Sequence, residues 1–203
     1  GEADRHHDRM VAALTIGHAI IGNSQDTIDT LGTFAARQGM GMPPALVAWP
    51  GTPHLPMPMA RPECNDFIIL GTIEGRKNHA VLLDVWTRLM AQHGEDAPRL
   101  VIIGRRGWAC DDVLARLDAG GFGSRLLEAG PMDDVGISNQ LAGARALLFP
   151  SHAEGYGLPL VEALDANVPV IASDLPVFRE IGQGVPDLLP PNDREAWHDA
   201  IMD

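Results

Sequence analysis

The chain has 203 residues, of which 45% are hydrophobic and 21% charged, a composition that excludes disordered and fibrous classes. Its 27 acidic against 15 basic residues leave a net charge of −12, which argues against a nucleic-acid partner and against an anionic membrane surface. Two cysteines, Cys64 and Cys110, are too few for a disulfide scaffold and fit a reducing compartment.

No apolar run approaches the length of a membrane helix. The polar start, Gly1-Glu-Ala-Asp-Arg-His-His7, is no signal peptide; lacking an initiator methionine, it is read as part of a longer chain. His6, His7 and Asp8 are expected in a loose terminus rather than around a metal ion. Residues 18–22 are expected to form a strand. Ser24 or Asp26 then caps a helix running to about Arg37, ended by Gly39, and residues 45–49 form a second strand. Pro50, Pro53, Pro56, Pro58 and Pro62 exclude helix and central strand, so this stretch reads as a linker or an extended crossing.

Beyond it, short apolar runs alternate with helical periodicity. Strands are predicted at 67–71, 99–104, 125–129, 145–149 and 168–172. Helices are predicted from Asn78, at 111–119, 133–143 and 158–165, and near 176–181 and 193–202. Strands apolar throughout, separated by helices, imply a parallel sheet covered on both faces. The fold class is therefore α/β, a Rossmann-like doubly wound sheet over residues 63–203, with residues 1–62 as a separate piece plus linker. In such sheets ligands sit beyond the carboxyl ends of the strands, which directs attention to the loops at 71–77, 104–107, 130–132 and 150–159.

Glu154 and Glu162 are eight positions apart, one in a loop after a strand and one a turn into the next helix. Gly155, Gly157 and Pro159 turn the backbone between them, so the amides near Tyr156, Gly157 and Leu158 meet an anion at a helix start. Carboxylates accept from sugar hydroxyls and amides donate to phosphate, so this arrangement suits a sugar nucleotide; the plain alternative is two solvated helix-end acids. Lys77 is the chain's one lysine, in a loop where a phosphate charge could be met; the alternative is a surface lysine. Arg76 adjoins it, but neighbours at a helix start diverge, so both need not face one ligand. Gly104-Arg-Arg-Gly107 and Gly120-Gly-Phe-Gly123 are weak glycine signals, and neither a dinucleotide fingerprint nor a P-loop is present. His152-x-Glu154 lacks the cysteine pair of a zinc deaminase, and Ser151 lacks a nucleophile elbow.

Taken together, these residues resemble the retaining glycosyltransferases of the GT-B fold, the group called family 4. Glu154-Gly-Tyr-Gly-Leu-Pro-Leu-Val-Glu162 is similar to that family's E-x7-E motif, and Gly71-Thr-Ile-Glu-Gly-Arg-Lys-Asn-His79 to its phosphate-binding strand, loop and helix. Pro169-Val-Ile-Ala-Ser-Asp174 and Phe178-Arg-Glu180 are similar to the elements that follow. The resemblance implies that the second domain of a GT-B fold lies at 63–203 and that residues 1–62 are a remnant of the acceptor-side domain. It implies Glu162 on the nucleotide ribose, Glu154 beside the donor sugar, and Lys77 on the diphosphate. It adds the amides of Gly157 and Leu158 on the phosphates, Met132 where the backbone reads the base, and no metal or other cofactor. Gly71 and Thr72 stand where many members carry Gly-Arg, so Arg76 or Arg105 would have to supply the missing charge. Asn167 stands where a glycine is usual, and asparagine tolerates the left-handed turn needed there.

The implied activity is transfer of a hexose from a nucleoside-diphosphate sugar to a glycan or lipid-linked acceptor, in the cytoplasm or peripherally at the inner membrane. GDP-mannose is the first expectation and UDP-glucose the second, with membrane contact made only through a further domain. The competing readings are a nucleotide-sugar binding domain without turnover and another GT-B enzyme such as an epimerase.

Overall fold

The computed structural model describes residues 2–59 and 65–203 and divides into two compact units, 1–51 and 52–203. The expected boundary at 62–63, and Cys64, lie outside the described residues. The residues from Thr52 to Met59 group with the second unit.

In the first unit, α1 (Glu2–Ile16) precedes β1 (Ile20–Gly22), α2 (Gln25–Arg37) and β2 (Ala45–Val47), and β1 and β2 pair in parallel. The expected loose terminus is corrected: residues around His6 and His7 are helical, and the His7 ring meets Phe34 edge-on at 5.3 Å. Ser24 caps α2, its hydroxyl oxygen accepting from the Thr27 amide at 3.1 Å. Replacing it with alanine strips one of the orphan amides of that helix start. Ser24→Ala is expected to cost about 1 kcal/mol, measured by thermal unfolding followed by far-UV circular dichroism.

The second unit is built on a six-stranded sheet, β3 (Asp66–Leu70), β4 (Leu100–Ile103), β5 (Leu126–Gly130), β6 (Ala144–Phe149), β7 (Val170–Ser173) and β8 (Asp187–Leu189). Every pairing is parallel, in the spatial order β5-β4-β3-β6-β7-β8. The helices are α3 (His79–His93), α4 (Asp111–Ala119), α5 (Asp134–Ala142), α6 (Leu158–Asp165), α7 (Pro176–Gly182) and α8 (Arg194–Met202). The predicted Rossmann-like sheet is present. Strand β8 was not anticipated, because three residues are too few to show a period. Asn167 adopts φ +58°, the left-handed turn expected there.

Side-chain alternation along the strands makes two cores. Phe67, Ile69, Leu100 and Ile102 face one way, with Trp86 of α3 and Trp197 of α8. Ile68, Leu70, Val101, Ile103, Leu147 and Phe149 face the other, with Leu160 of α6 and Phe178 of α7. At the amino end, the buried Asp66 is held by a two-pronged contact from the Arg99 guanidinium.

The strand order reverses between β3 and β6. Connections leaving their carboxyl ends run to opposite sides and open a crevice between the two following loops. Those loops carry Lys77 and Glu154.

Candidate active site

After β3 the chain does not enter α3 directly. It forms a single 3-10 turn, Gly75–Lys77, and then Asn78 in the left-handed region, φ +52°. The Asn78 amide side chain does not cap α3; its Nδ2 donates to the carbonyls of Pro150, at 3.1 Å, and Pro191, at 2.8 Å. One buried asparagine thereby fixes the Lys77 turn to the loop after β6. The His152 amide, donating to the Arg76 carbonyl at 2.8 Å, makes a second tie.

The same turn is fixed from its other side by the loop after β4. Ile73 donates to the Arg105 carbonyl at 2.8 Å, and its own carbonyl accepts from the Gly107 amide at 2.9 Å and the Cys110 thiol at 3.1 Å. The parallel pairing thus continues past the strand ends to a bridge between Ile73 and Arg106. Three glycines permit this approach. A Cβ on Gly75 would lie 2.4 Å from the Ala109 carbonyl oxygen, one on Gly104 1.9 Å from that of Gly71, and one on Gly107 2.5 Å from the Thr72 methyl. Gly104 and Gly107, weak signals in the sequence, hold the two loops together.

Lys77 points into the crevice, with its side chain 10% exposed, and Nζ lies 2.8 Å from Glu154 Oε1. The ammonium also sits over the Phe149 ring, 4.6 Å from its centroid. Gly71 leaves room for the lysine stem: a Cβ there would be 3.3 Å from Lys77 Cε. Arg76 reaches the same carboxylate, Nη1 to Oε2 at 2.6 Å, and also donates to the Ala153 carbonyl and, at 2.6 Å, to Glu74. The Ser151 hydroxyl donates to Glu154 Oε1 at 2.8 Å. The expectation that Arg76 and Lys77 diverge is corrected: the tight 3-10 turn brings both cations to one carboxylate. Burial alone would lower the Arg76 pKa, but hydrogen bonds to and charges of Glu154 and Glu74 offset it and raise the guanidinium above its ordinary value.

Two residues from Lys77, the imidazole of His79 is buried at the first position of α3, and neither ring nitrogen has a hydrogen-bond partner. Desolvation, then the Lys77 charge, lower its pKa from 6.5 to about 4, so it is neutral.

Gly157 takes φ +105°, where a Cβ would strike the Phe178 ring at 2.7 Å, and it opens α6. Pro159 carries no amide hydrogen and the Leu160 amide donates to the Gly157 carbonyl at 3.0 Å, so the amides of Gly157 and Leu158 are the donors that this helix start can offer a ligand or water. Tyr156 is buried, and desolvation followed by the Glu180 charge raises its phenol pKa. Leu158 is exposed, and Met132 is half-buried against the second core. Glu162 lies on α6, one turn past its start. It lines a cavity of about 440 Å³ with Ser138 of α5, Asp165 of α6 and the stretch from His54 to Pro58. Burial, then the Asp134 charge, raise its carboxyl pKa. Thr72 sits in the loop against Gly104 and Gly107, and Arg105 is exposed on the neighbouring loop. Asn78 was expected only as a helix start and Ser151 only as a discarded nucleophile; their part in the site rests on pairings to Pro150, Pro191 and Glu154 that no local pattern announces.

The family described as glycosyl transferases group 1 matches residues 64–203. The chain belongs to that family. Curated relatives include the serotype-specific mannosyltransferase WbdA of Escherichia coli, 39% identical over 118 residues, which span 58% of this chain and 14% of that protein. A phosphatidyl-myo-inositol mannosyltransferase of Mycobacterium leprae is 35% identical over 132 residues, 64% of this chain and 34% of that protein. The chain therefore spans about a third or less of the length of these relatives. Among solved structures, WaaG, a glycosyltransferase involved in lipopolysaccharide biosynthesis, superposes with a TM-score of 0.73 at 16% identity, covering 100% of this chain and 60% of that one. At that identity the likeness is one of fold. Among the described residues of this group 1 chain, no helix is long and apolar enough to cross a membrane.

Proposed function

We propose that this chain is the donor-binding half of a retaining GT-B glycosyltransferase of family 4. It takes a nucleoside-diphosphate hexose, GDP-mannose before UDP-glucose, and serves transfer to a glycan or lipid-linked acceptor. The observation that carries this is the meeting of Lys77, Arg76 and Glu154 at the strand-order reversal of a group 1 sheet. The mannosyltransferase relatives support the choice of sugar.

In this reading Lys77 and Arg76 take the diphosphate, with Arg76 supplying the charge that Thr72 cannot. The amides of Gly157 and Leu158 add the positive end of α6. As the bond from anomeric carbon to diphosphate oxygen lengthens, negative charge grows on the departing oxygen. Fixed cations and amides in a crevice stabilise it without reorganising, so no metal ion or other cofactor is assigned. Glu154 lies beside the donor hexose and Glu162 accepts from the ribose hydroxyls. Met132 lies at the base, with Gly71, Thr72, Gly155 and Tyr156 shaping the walls. The acceptor is bound by a companion domain of which residues 1–51 are a part, and the enzyme works in the cytoplasm or at the inner face of a membrane.

Calorimetric titration with GDP, UDP, ADP and their sugar conjugates, with and without magnesium, tests this. One nucleotide is expected to bind independently of magnesium, and Lys77→Ala is expected to weaken it about tenfold, the worth of one charge-assisted hydrogen bond. Absence of binding by every nucleotide would overturn the reading. Thr72 favours a second reading, a nucleotide-sugar binding domain without turnover. Transfer of labelled mannose to an acceptor glycan by the chain with its companion domain would exclude that second reading.

A further inference from the structure

We infer that Glu154 makes the site discriminate between the sugar-bearing donor and the free nucleoside diphosphate, acting as an internal anion that holds both cations until sugar hydroxyls draw it away. This rests on the donor-site reading above. Both Glu154 oxygens are engaged, Oε1 by Lys77 and Ser151 and Oε2 by Arg76, at 2.6–2.8 Å. The carboxylate is 8% exposed, so water replaces few of these donors if they leave. A carboxylate has about four lone-pair positions, and three are filled here. The two cations that would hold a diphosphate are already balanced by two of the protein's own carboxylates, Glu154 shared between them and Glu74 on Arg76.

An incoming diphosphate has to exchange with that carboxylate. If it takes Lys77 and Arg76, Glu154 is left buried, charged and short of donors, a costly state. A hexose on the diphosphate changes the outcome, because its hydroxyls donate to the carboxylate oxygens that the cations release. A free nucleoside diphosphate brings no such donors, and its terminal phosphate carries a further negative charge towards Glu154. The exchange therefore goes forward for the donor and is opposed for the product. Once the sugar has left, Glu154 recaptures Lys77 and Arg76 and the diphosphate is released. Ser151, buried and aimed at Oε1, is a positioning residue that holds the carboxylate on the cations.

The test compares GDP with GDP-mannose, and UDP with UDP-glucose, by calorimetry on the native chain, Glu154→Gln and Ser151→Ala, with thermal unfolding of each variant recorded alongside. Glu154→Gln is expected to tighten the free diphosphate about tenfold and to leave the sugar conjugate unchanged or weaker, because the competing charge is gone. Ser151→Ala keeps the ion pair, and so the fold, and is expected to shift the same ratio in the same direction by about threefold. If Glu154→Gln fails to fold, the Ser151→Ala ratio decides. An unchanged ratio, or a diphosphate weakened by loss of the carboxylate, overturns the inference while leaving the donor site standing. No binding of any nucleotide to any form overturns the donor site itself.

Discussion

Through His79 alone, the stability of this chain is expected to fall by about 3 kcal/mol between pH 6.5 and pH 4, at about 1.4 kcal/mol per pH unit. The unfolded imidazole takes up a proton near pH 6.5, whereas the folded one resists protonation to about 4. Below 6.5 the unfolded state therefore binds more protons, and falling pH favours it until the folded group also titrates. Above 6.5 both states are neutral and the contribution is flat. The physical cause is burial without a partner for either ring nitrogen, next to the Lys77 ammonium. His79→Leu keeps a similar volume and removes the proton. Its unfolding free energy in urea is expected to lack that component of pH dependence, and at pH 7 it gains about 1–3 kcal/mol from the deleted unsatisfied polar group. Parallel slopes for the two proteins across pH 4–7 would show that His79 finds a partner on folding.

Gly104→Ala is expected to cost about 3 kcal/mol and, on the donor-site proposal, to abolish nucleotide binding together with stability. The added methyl meets the Gly71 carbonyl oxygen at 1.9 Å and its carbon at 2.6 Å, and both are backbone atoms that no rotamer change can move. Relief requires parting the loops after β3 and β4. That breaks the continued pairing at Ile73 and shifts the turn carrying Lys77. Urea unfolding and calorimetry on the same preparation check both consequences. A variant of native stability would mean that the two loops separate freely.

The second unit was the more legible part of the sequence, because buried parallel strands are apolar throughout and helices keep their period. Strands β3 to β7 and helices α3 to α8 stand close to their predicted places, and α4 and α6 span the predicted residues. The first fifteen or so residues were misjudged because a polar, histidine-rich start carries little apolar periodicity to mark a helix. In the site, Lys77 was legible as the lone lysine of an arginine-rich chain, and Glu154 through its spacing to Glu162. Arg76 was read with α-helical geometry, in which successive residues diverge. The chain instead makes a 3-10 turn ended by a left-handed asparagine. The interlock of Gly75, Gly104 and Gly107 was not legible at all, since each glycine is required by a backbone segment distant in sequence. The placing of Glu162 beside the stretch from His54 to Pro58 was likewise not legible, since that stretch is distant in sequence.

The stretch from His54 to Met59 lies across α5 and α6 and is gripped at fixed intervals. Ser138 donates to the Pro56 carbonyl at 2.6 Å, Asn139 accepts from the Met59 amide at 2.8 Å, and His54 meets Asp165 at 3.1 Å. The first two grips use main-chain atoms and are indifferent to the side chains at 56 and 59. The strap behaves as a ruler. Leu55 packs on the second core and His54 contacts Asp165 through its ring, but side-chain changes at 56 and 59 leave the main-chain grips in place, whereas inserting or deleting one residue between Pro56 and Met59 puts one of two adjacent α5 side chains out of step. The wall of the cavity beside Glu162 is thus specified by length as well as by letters: the exposed positions 57 and 59 are free to drift while the count is not.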